Sequence, residues 1–363
     1  MSDGRNGRNG KEAGRNTKTV NLALQGGGTH GAFTWGVLDA ILDDGRLDFE
    51  GISGTSAGAM NATVLAYGMK VNGRQGGKEA LAHFWSEISR AGGPYSPLQE
   101  MPWESFFGLP LTSSMIAFSA FDTLTRTFSP YQLNPFDFNP LREILADCVD
   151  FEALAACSTT KLFLGATNVR TGKVKVFETR DVTVDAVMAS SCLPLVFKAV
   201  EIDGEAYWDG GYMGNPVLFP FFYRCESRDV LILHVNPIER PEIPMTATEI
   251  MNRINEISFN GSLLKEFRAI DFVDKLVDQN WLKDEFRDRL RRINIHSIRA
   301  DKALADLSAA SKFNVDWGFL KQLRDRGHEA GKAWLAEHFE TIGKGHSVSL
   351  KHEYLEDGLR NTV

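Results

Sequence analysis

Gly54-Thr55-Ser56-Ala57-Gly58 closes a short β-rich run, Phe49 to Ser53, and opens an apolar helix that begins near Met60. The pattern is G-x-S-x-G. A serine on a sharp strand-to-helix turn is lifted clear of the backbone, and glycines flank it because a Cβ on either would clash inside the turn. Hydrolases present a nucleophile in this way, which makes Ser56 the candidate.

Upstream, Thr19 to Leu24 reads as a buried strand, and it runs into a second glycine cluster, Gly26-Gly27-Gly28-Thr29-His30-Gly31. From His30 to Leu42 the apolar residues Phe33, Val37, Leu38 and Ile41 fall on one helical face. Helices are expected again over Ala57 to Met69 and Lys78 to Arg90, with a loop at Gly73 to Gly77 between them. This βαβα opening predicts a parallel sheet covered by helices. Far downstream a short strand, Glu205 to Trp208, runs into Asp209-Gly210-Gly211.

A Gly-rich loop after the first strand, a serine elbow after the second and a distant Asp-Gly-Gly turn together resemble the patatin-like phospholipases. The segment Ala189-Ser190-Ser191-Cys192-Leu193-Pro194 is similar to that family's Ala-Ser-rich stretch ahead of the Asp-Gly turn. The resemblance extends from about Val20 to Pro216 and fades after Pro237. It implies an α/β fold, a three-layer α/β/α sandwich with a central mostly parallel sheet, to which the residues themselves add an aromatic-rich insertion and a helical C-terminal extension. It further implies Ser56 as nucleophile, Asp209 as its only side-chain partner in a Ser-Asp dyad, and the loop Gly26, Gly27 and Gly28 as oxyanion hole, with amides of Gly27 and Gly28 as donors. Gly31, Gly54, Gly58, Gly210 and Gly211 support these motifs. No cofactor and no metal are implied. One departure concerns His30, which stands where the family usually carries Arg or Lys. It either shapes the loop, lends a pH-dependent charge, or points to solvent from a helix N-terminus.

Gly26 to Gly31 also matches the G-x-G-x-x-G dinucleotide fingerprint, since a glycine loop entering a helix binds any anion. A dinucleotide fold ends its second strand in an acidic residue, however, and here that strand ends in Gly54-Thr55-Ser56. A Ser-acid-His triad is expected to place a histidine downstream of Asp209 at the end of a strand or in a loop, whereas His234 and His296 both sit inside apolar runs. An aspartate at its ordinary pKa of about 4 is a poor base for a hydroxyl, so a dyad requires a desolvated Asp209, with Tyr207, Trp208 and Tyr212 as candidate cover. Cys192 reads as a small apolar filler rather than a reactive thiol.

Composition bounds the rest. A chain of 363 residues, 43% hydrophobic, builds a sizeable core without staples. The net charge of -7 argues against a nucleic-acid partner and against purely electrostatic docking on anionic lipid. Cys148, Cys157, Cys192 and Cys225 lack CxxC spacing, which suits a reduced, cytoplasmic protein. No apolar run is long enough to span a bilayer, so any membrane contact is expected to be peripheral.

The expected organisation is a disordered tail over residues 1–18, a catalytic domain over 19–237, a mainly helical extension over 238–342 and a flexible tail over 343–363. Within the catalytic domain, the insertion at 92–140 is rich in aromatics (Trp103, Phe106, Phe107, Phe118, Phe121, Phe128, Tyr131, Phe136 and Phe138) and reads either as a lipid-facing lid or as an added core layer. A hairpin is expected around Thr171-Gly172, a strand over Val230 to Val235, a charged helix pair over Ala247 to Asp284, a β-like stretch from Arg292 to Ile298 and a last helix from about Trp317. Pro216 to Phe222 lines an acyl pocket or packs in the core. The expected activity is lipid ester hydrolysis through an acyl-enzyme, of phospholipase A, lysophospholipase or esterase type. The alternatives are a lipid-binding or regulatory protein with an occluded dyad, or a nucleotide binder. The physiological ester and the oligomeric state are left open.

Overall fold

The computed structural model describes residues 17–92, 120, 123–240, 242–287, 292–307 and 309–356. The N-terminal segment ahead of residue 17, the chain beyond residue 356 and the insertion aromatics Trp103, Phe106, Phe107, Phe118 and Phe121 lie outside these residues.

Among the described residues eight strands form one sheet: β1 (Lys18–Leu24), β2 (Leu47–Gly54), β3 (Lys161–Asn168), β4 (Val174–Glu178), β5 (Val200–Ile202), β6 (Glu205–Asp209), β7 (Asp229–His234) and β8 (Asn294–Arg299). Their order is β5-β6-β3-β2-β1-β7-β8, with β4 also paired to β3. Neighbours among β3, β2, β1, β7 and β8 are parallel, while β4, β5 and β6 are antiparallel additions.

The apolar run of β1 is buried on both sides because successive side chains enter different cores. Leu22 and Leu24 join Leu231 and Leu233 of β7 in one cluster, whereas Ala23 joins Val230 and Ile232 in the other. The first core is closed by α1 (Gly31–Asp44), α2 (Ala57–Gly92), α5 (Val184–Ser190) and α8 (Trp317–His338). Between α2 and α5 the chain also forms α3 (Pro140–Cys148) and α4 (Phe151–Ala155). The second core is closed by α6 (Phe219–Arg224) and α7 (Ala247–Asp278) through Phe221, Leu263, Phe267 and Ile270. This is the expected layered α/β arrangement.

Several local expectations differ from the structure. The loop foreseen at 73–77 shrinks to a kink in α2 at Asn72 and Gly73, where Gly73 takes φ 55°. The glycines there serve close packing: a Cβ on Gly68 would lie 2.4 Å from the Gly76 carbonyl oxygen. The charged helix pair is a single long helix, α7, started by a Thr246–Glu249 capping box, and then a short turn, Asp284–Arg287. The C-terminal residues are integrated with the sheet: β8 pairs with β7, and Leu350 and Tyr354 are buried in the second core. Polar composition predicts a loose tail after Gly343, but His346 ties that segment down by accepting from the Ile295 N–H (3.0 Å) and meeting Asp274 (2.9 Å). Phe136 is 94% exposed, and Phe128, Tyr131 and Phe138 are exposed as well, so the described insertion aromatics do not form a core layer. Among the described residues no helix is long and apolar enough to cross a membrane.

Candidate active site

Strand register brings the distant motifs together. β2 runs parallel to β3 and ends with Gly54 opposite Leu164. β6 runs antiparallel to β3 and ends with Asp209 opposite Ala166. The two strands thus approach each other end to end along β3, and Gly165 lies between their tips. Ser56 follows the end of one and Asp209 closes the other.

The elbow has the geometry its sequence demands. Ser56 is half-buried and sits at φ 56°, a left-handed conformation that costs a non-glycine residue about 1–3 kcal/mol and persists only when surroundings impose it. Its N–H donates to both the carbonyl (3.1 Å) and the hydroxyl oxygen (3.0 Å) of Ser190. Ser190 in turn donates its hydroxyl to the Gly165 carbonyl at 2.6 Å. A Cβ on Gly54 would lie 2.4 Å from the Gly58 carbonyl oxygen, and one on Gly58 would lie 2.1 Å from that of Leu24. Both flanking glycines are therefore steric requirements of the turn.

Asp209 is fully buried. Its Oδ1 accepts the Gly211 N–H at 2.7 Å, its own N–H donates to the Cys192 carbonyl at 2.7 Å, and Thr167 Oγ1 donates to its carbonyl at 2.8 Å. Among the described residues Oδ2 has no hydrogen-bond partner of good geometry. Burial drives the carboxyl up to about 7, against the opposing pull of the Gly211 amide and the Ser56 hydroxyl. The Ser56 hydroxyl is near enough to lower the carboxyl's pKa, yet no hydrogen bond of good geometry joins the two among the described residues. Tyr212, packed edge-on against Phe259, is raised to about 12 by burial and then by the Asp209 charge, and belongs to the cover over the carboxylate. Gly210 lets the turn close, since a Cβ there would lie 2.1 Å from the Gly165 carbonyl oxygen.

The Gly-rich loop lies against the elbow, and a Cβ on Gly26 would be 2.5 Å from Ser56 Cβ. Gly28 adopts φ 60°. Gly31 packs against Ala57 and Trp85, a Cβ there meeting Ala57 Cβ at 3.0 Å. The Gly26 N–H is already engaged, donating to Asn215 Oδ1 at 2.7 Å. Among the described residues no hydrogen bond occupies the N–H of Gly27 or Gly28, so these two remain available as donors. The loop is held by a buried amide network that sequence reasoning missed. Gln25 Oε1 accepts from the N–H groups of Val235 (2.9 Å) and Asn236 (2.8 Å), and its Nε2 donates to Asn260 Oδ1 at 2.8 Å. Asn236 Nδ2 donates to the Gly26 carbonyl. Only Asn215 had a local signal, its place just beyond the Asp-Gly-Gly turn.

His30 is neither exposed nor charged. It is buried, its Nε2 meets Ser311 Oγ at 2.7 Å, and burial first, then Lys312 and Arg240, push its pKa down to about 3. Of the readings open for it, loop shaping agrees with this environment. His234 is buried and lowered to about 3 mainly by burial, stacking on Tyr354. His296 faces Asp229 at 2.9 Å. Neither histidine contacts Ser56 among the described residues. Burial lifts the Cys192 thiol to about 12, and its sulfur faces the Lys198 carbonyl at 2.9 Å, consistent with a filler. In the Pro216 to Phe222 run, Val217, Leu218 and Phe221 are core residues, while Phe219 is partly exposed. Asp39, Asp43 and His328 lie close enough to share a cation, but Lys78 and Arg324 already pair with the two carboxylates.

A nucleophile elbow, a buried carboxylate at its side and two open loop amides over a mostly parallel sheet define a serine hydrolase site of the α/β class. The family model described as patatin-like phospholipase matches residues 22–222, and the chain belongs to that family. No curated protein sequence matches the chain significantly. Among solved structures, VipD from Legionella pneumophila is similar at 14% identity, covering 94% of this chain and 73% of that one, with a TM-score of 0.38. Full-length ExoU of Pseudomonas aeruginosa, solved in complex with full-length SpcU, shares 16% identity over 86% of this chain, with a TM-score of 0.28. This chain spans about half the length of ExoU, 53%. The family assignment rests on the sequence match.

Proposed function

We propose that the protein hydrolyses lipid carboxylic esters through a Ser56–Asp209 dyad. The observation that supports this reading is the meeting of β2 and β6 along β3, where the strand leading to Ser56 ends next to the one closed by Asp209, a buried carboxylate whose Oδ2 has no hydrogen-bond partner among the described residues. Ser56 Oγ attacks the ester carbonyl carbon while its proton passes to Asp209 Oδ2. The oxyanion is held by the N–H groups of Gly27 and Gly28. Collapse breaks the acyl C–O bond, and Asp209 returns the proton to the leaving alkoxide. Water then attacks the acyl-enzyme, giving its proton to Asp209, and the free acid and Ser56 are released as that proton moves back to the serine oxygen. Raised to about 7, Asp209 is a far better match to this proton traffic than an ordinary aspartate.

A lipid substrate is supported by the family and by exposed apolar side chains on the segments that lead to the site: Phe136, Phe138, Leu195 and Met213. The test is acyl release from p-nitrophenyl esters of increasing chain length and from a phospholipid and lysophospholipid panel, comparing wild type with Ser56→Ala. Serine-dependent turnover that rises with chain length is expected. A folded Ser56→Ala protein that keeps hydrolysing would overturn the mechanism, and fluorophosphonate labelling of Ser56 separates an open site from an occluded one.

A further inference from the structure

A cation beside the Gly-rich loop, Lys312, comes from a different part of the chain than the loop itself. The turn Ala309–Phe313 docks on the loop: Thr29 Oγ1 donates to the Ser311 carbonyl at 2.8 Å, His30 meets the Ser311 hydroxyl, and a Cβ on Gly28 would lie 2.5 Å from the Lys312 carbonyl oxygen. Lys312 is half-buried as a residue, its ammonium at the enclosed end. That ammonium donates to Asn236 Oδ1 at 2.8 Å, and Asn236 Nδ2 donates onward to the Gly26 carbonyl. The Gly26 carbonyl and the Gly27 N–H are two ends of one peptide unit.

Hydrogen bonds in series polarise one another, and a charge at the head of the series strengthens the donor at its tail. The head here is unusually exposed to the cost of burial, because among the described residues no carboxylate pairs directly with Lys312. Facing it are His30, held neutral, Arg240 and Glu256, already paired with each other at 2.7 Å, and Asp301 across a small shared cavity. A buried cation without a direct counter-ion costs stability, and burial pulls its pKa down to about 8.

We infer that Lys312 is a positioning residue of the oxyanion hole, acting through Asn236 on the Gly26–Gly27 peptide to make the Gly27 N–H a stronger donor to the developing oxyanion. The inference rests on the reading of Gly27 as an oxyanion donor. It makes residues beyond the family match part of the catalytic machinery.

The test compares Lys312→Met and Lys312→Arg with wild type and Ser56→Ala, using the ester that wild type turns over fastest. Lys312→Met is expected to lower kcat about 10-fold, less than the loss of a direct oxyanion donor, with KM changed less than about 2-fold. Affinity for a trifluoromethyl ketone carrying the same acyl chain should fall by the same factor as kcat/KM, and Lys312→Arg should recover most of both. In wild type, kcat should decline as pH rises through about 8, and that limb should vanish in Lys312→Met. Unchanged kcat and ketone affinity in a folded Lys312→Met protein would overturn the inference, as would a loss that Arg fails to recover. Should the Met variant not fold, the wild-type profile decides alone: a flat kcat above about pH 8 overturns it. Ser56→Ala activity reports separately on the underlying mechanism, since its persistence would remove the oxyanion reading and not merely the role of Lys312.

Discussion

The Ser56 N–H is bound twice by Ser190, through its carbonyl and its hydroxyl, while the Ser190 hydroxyl reaches on to the Gly165 carbonyl. One residue of α5 thus ties the elbow serine to β3, the strand with which Asp209 also pairs. The left-handed backbone of Ser56 would otherwise relax, and relaxation would withdraw its hydroxyl from the carboxylate.

Ser190→Ala should therefore harm activity more than stability. It leaves the carbonyl bond to Ser56 in place but strands the Gly165 carbonyl, at a cost of about 1–2 kcal/mol. A fall in kcat of about 10-fold or more is expected from the loosened elbow. Steady-state kinetics beside thermal melting checks this, and a variant with full kcat would show that the elbow needs no such tether.

Asp209→Asn should nearly abolish hydrolysis and, at the same time, stabilise the protein at neutral and alkaline pH. The folded-state pKa, about 7, lies above the unfolded one, so the folded protein holds the proton more tightly. The ionised carboxylate is increasingly disfavoured in the fold as pH rises from about 4 through 7, on the order of a few kcal/mol in full. Denaturant titrations should show a gain for the variant near pH 8 that shrinks towards pH 4.

On the proposed mechanism the same shift sets the acid limb of activity. Asp209 accepts a proton only when ionised, so kcat/KM for an uncharged ester should fall tenfold per pH unit below about 7. A plateau extending down to about pH 5 would mean that the carboxylate is better solvated than its burial indicates.

Glycine substitutions separate sites of close approach from sites of mere backbone freedom. Gly26→Ala would press a methyl group onto Ser56 Cβ at 2.5 Å and the Thr55 carbonyl at 2.6 Å, and should abolish turnover. Gly172 and Gly343 have positive φ but open space around them, so alanine there should cost about 1–2 kcal/mol and leave kcat unchanged. Parallel assays and melts of the three variants test the contrast.

Local chemistry made much of this protein legible from its residues. Glycines at 54 and 58 cannot be replaced in a turn whose backbone atoms nearly touch, and the short apolar run Val20 to Leu24, ended by a glycine cluster, reads as a buried strand whose side chains enter two cores. The serine elbow, the Gly-rich loop, the hairpin at Thr171-Gly172 and the last helix are all local patterns of this kind. Other features were hidden because they depend on partners far away in sequence. The short strand β5 exists by pairing with β6, α6 by filling the second core, and the ordering of His346 to Tyr354 by contact with β8 and α7. The desolvation that lifts Asp209, the neutral state of His30 and the arrival of Lys312 behind the glycine loop belong to the same class. Each is an electrostatic consequence of which surfaces the packed sheet and helices exclude from water, and no stretch of residues carries that information by itself.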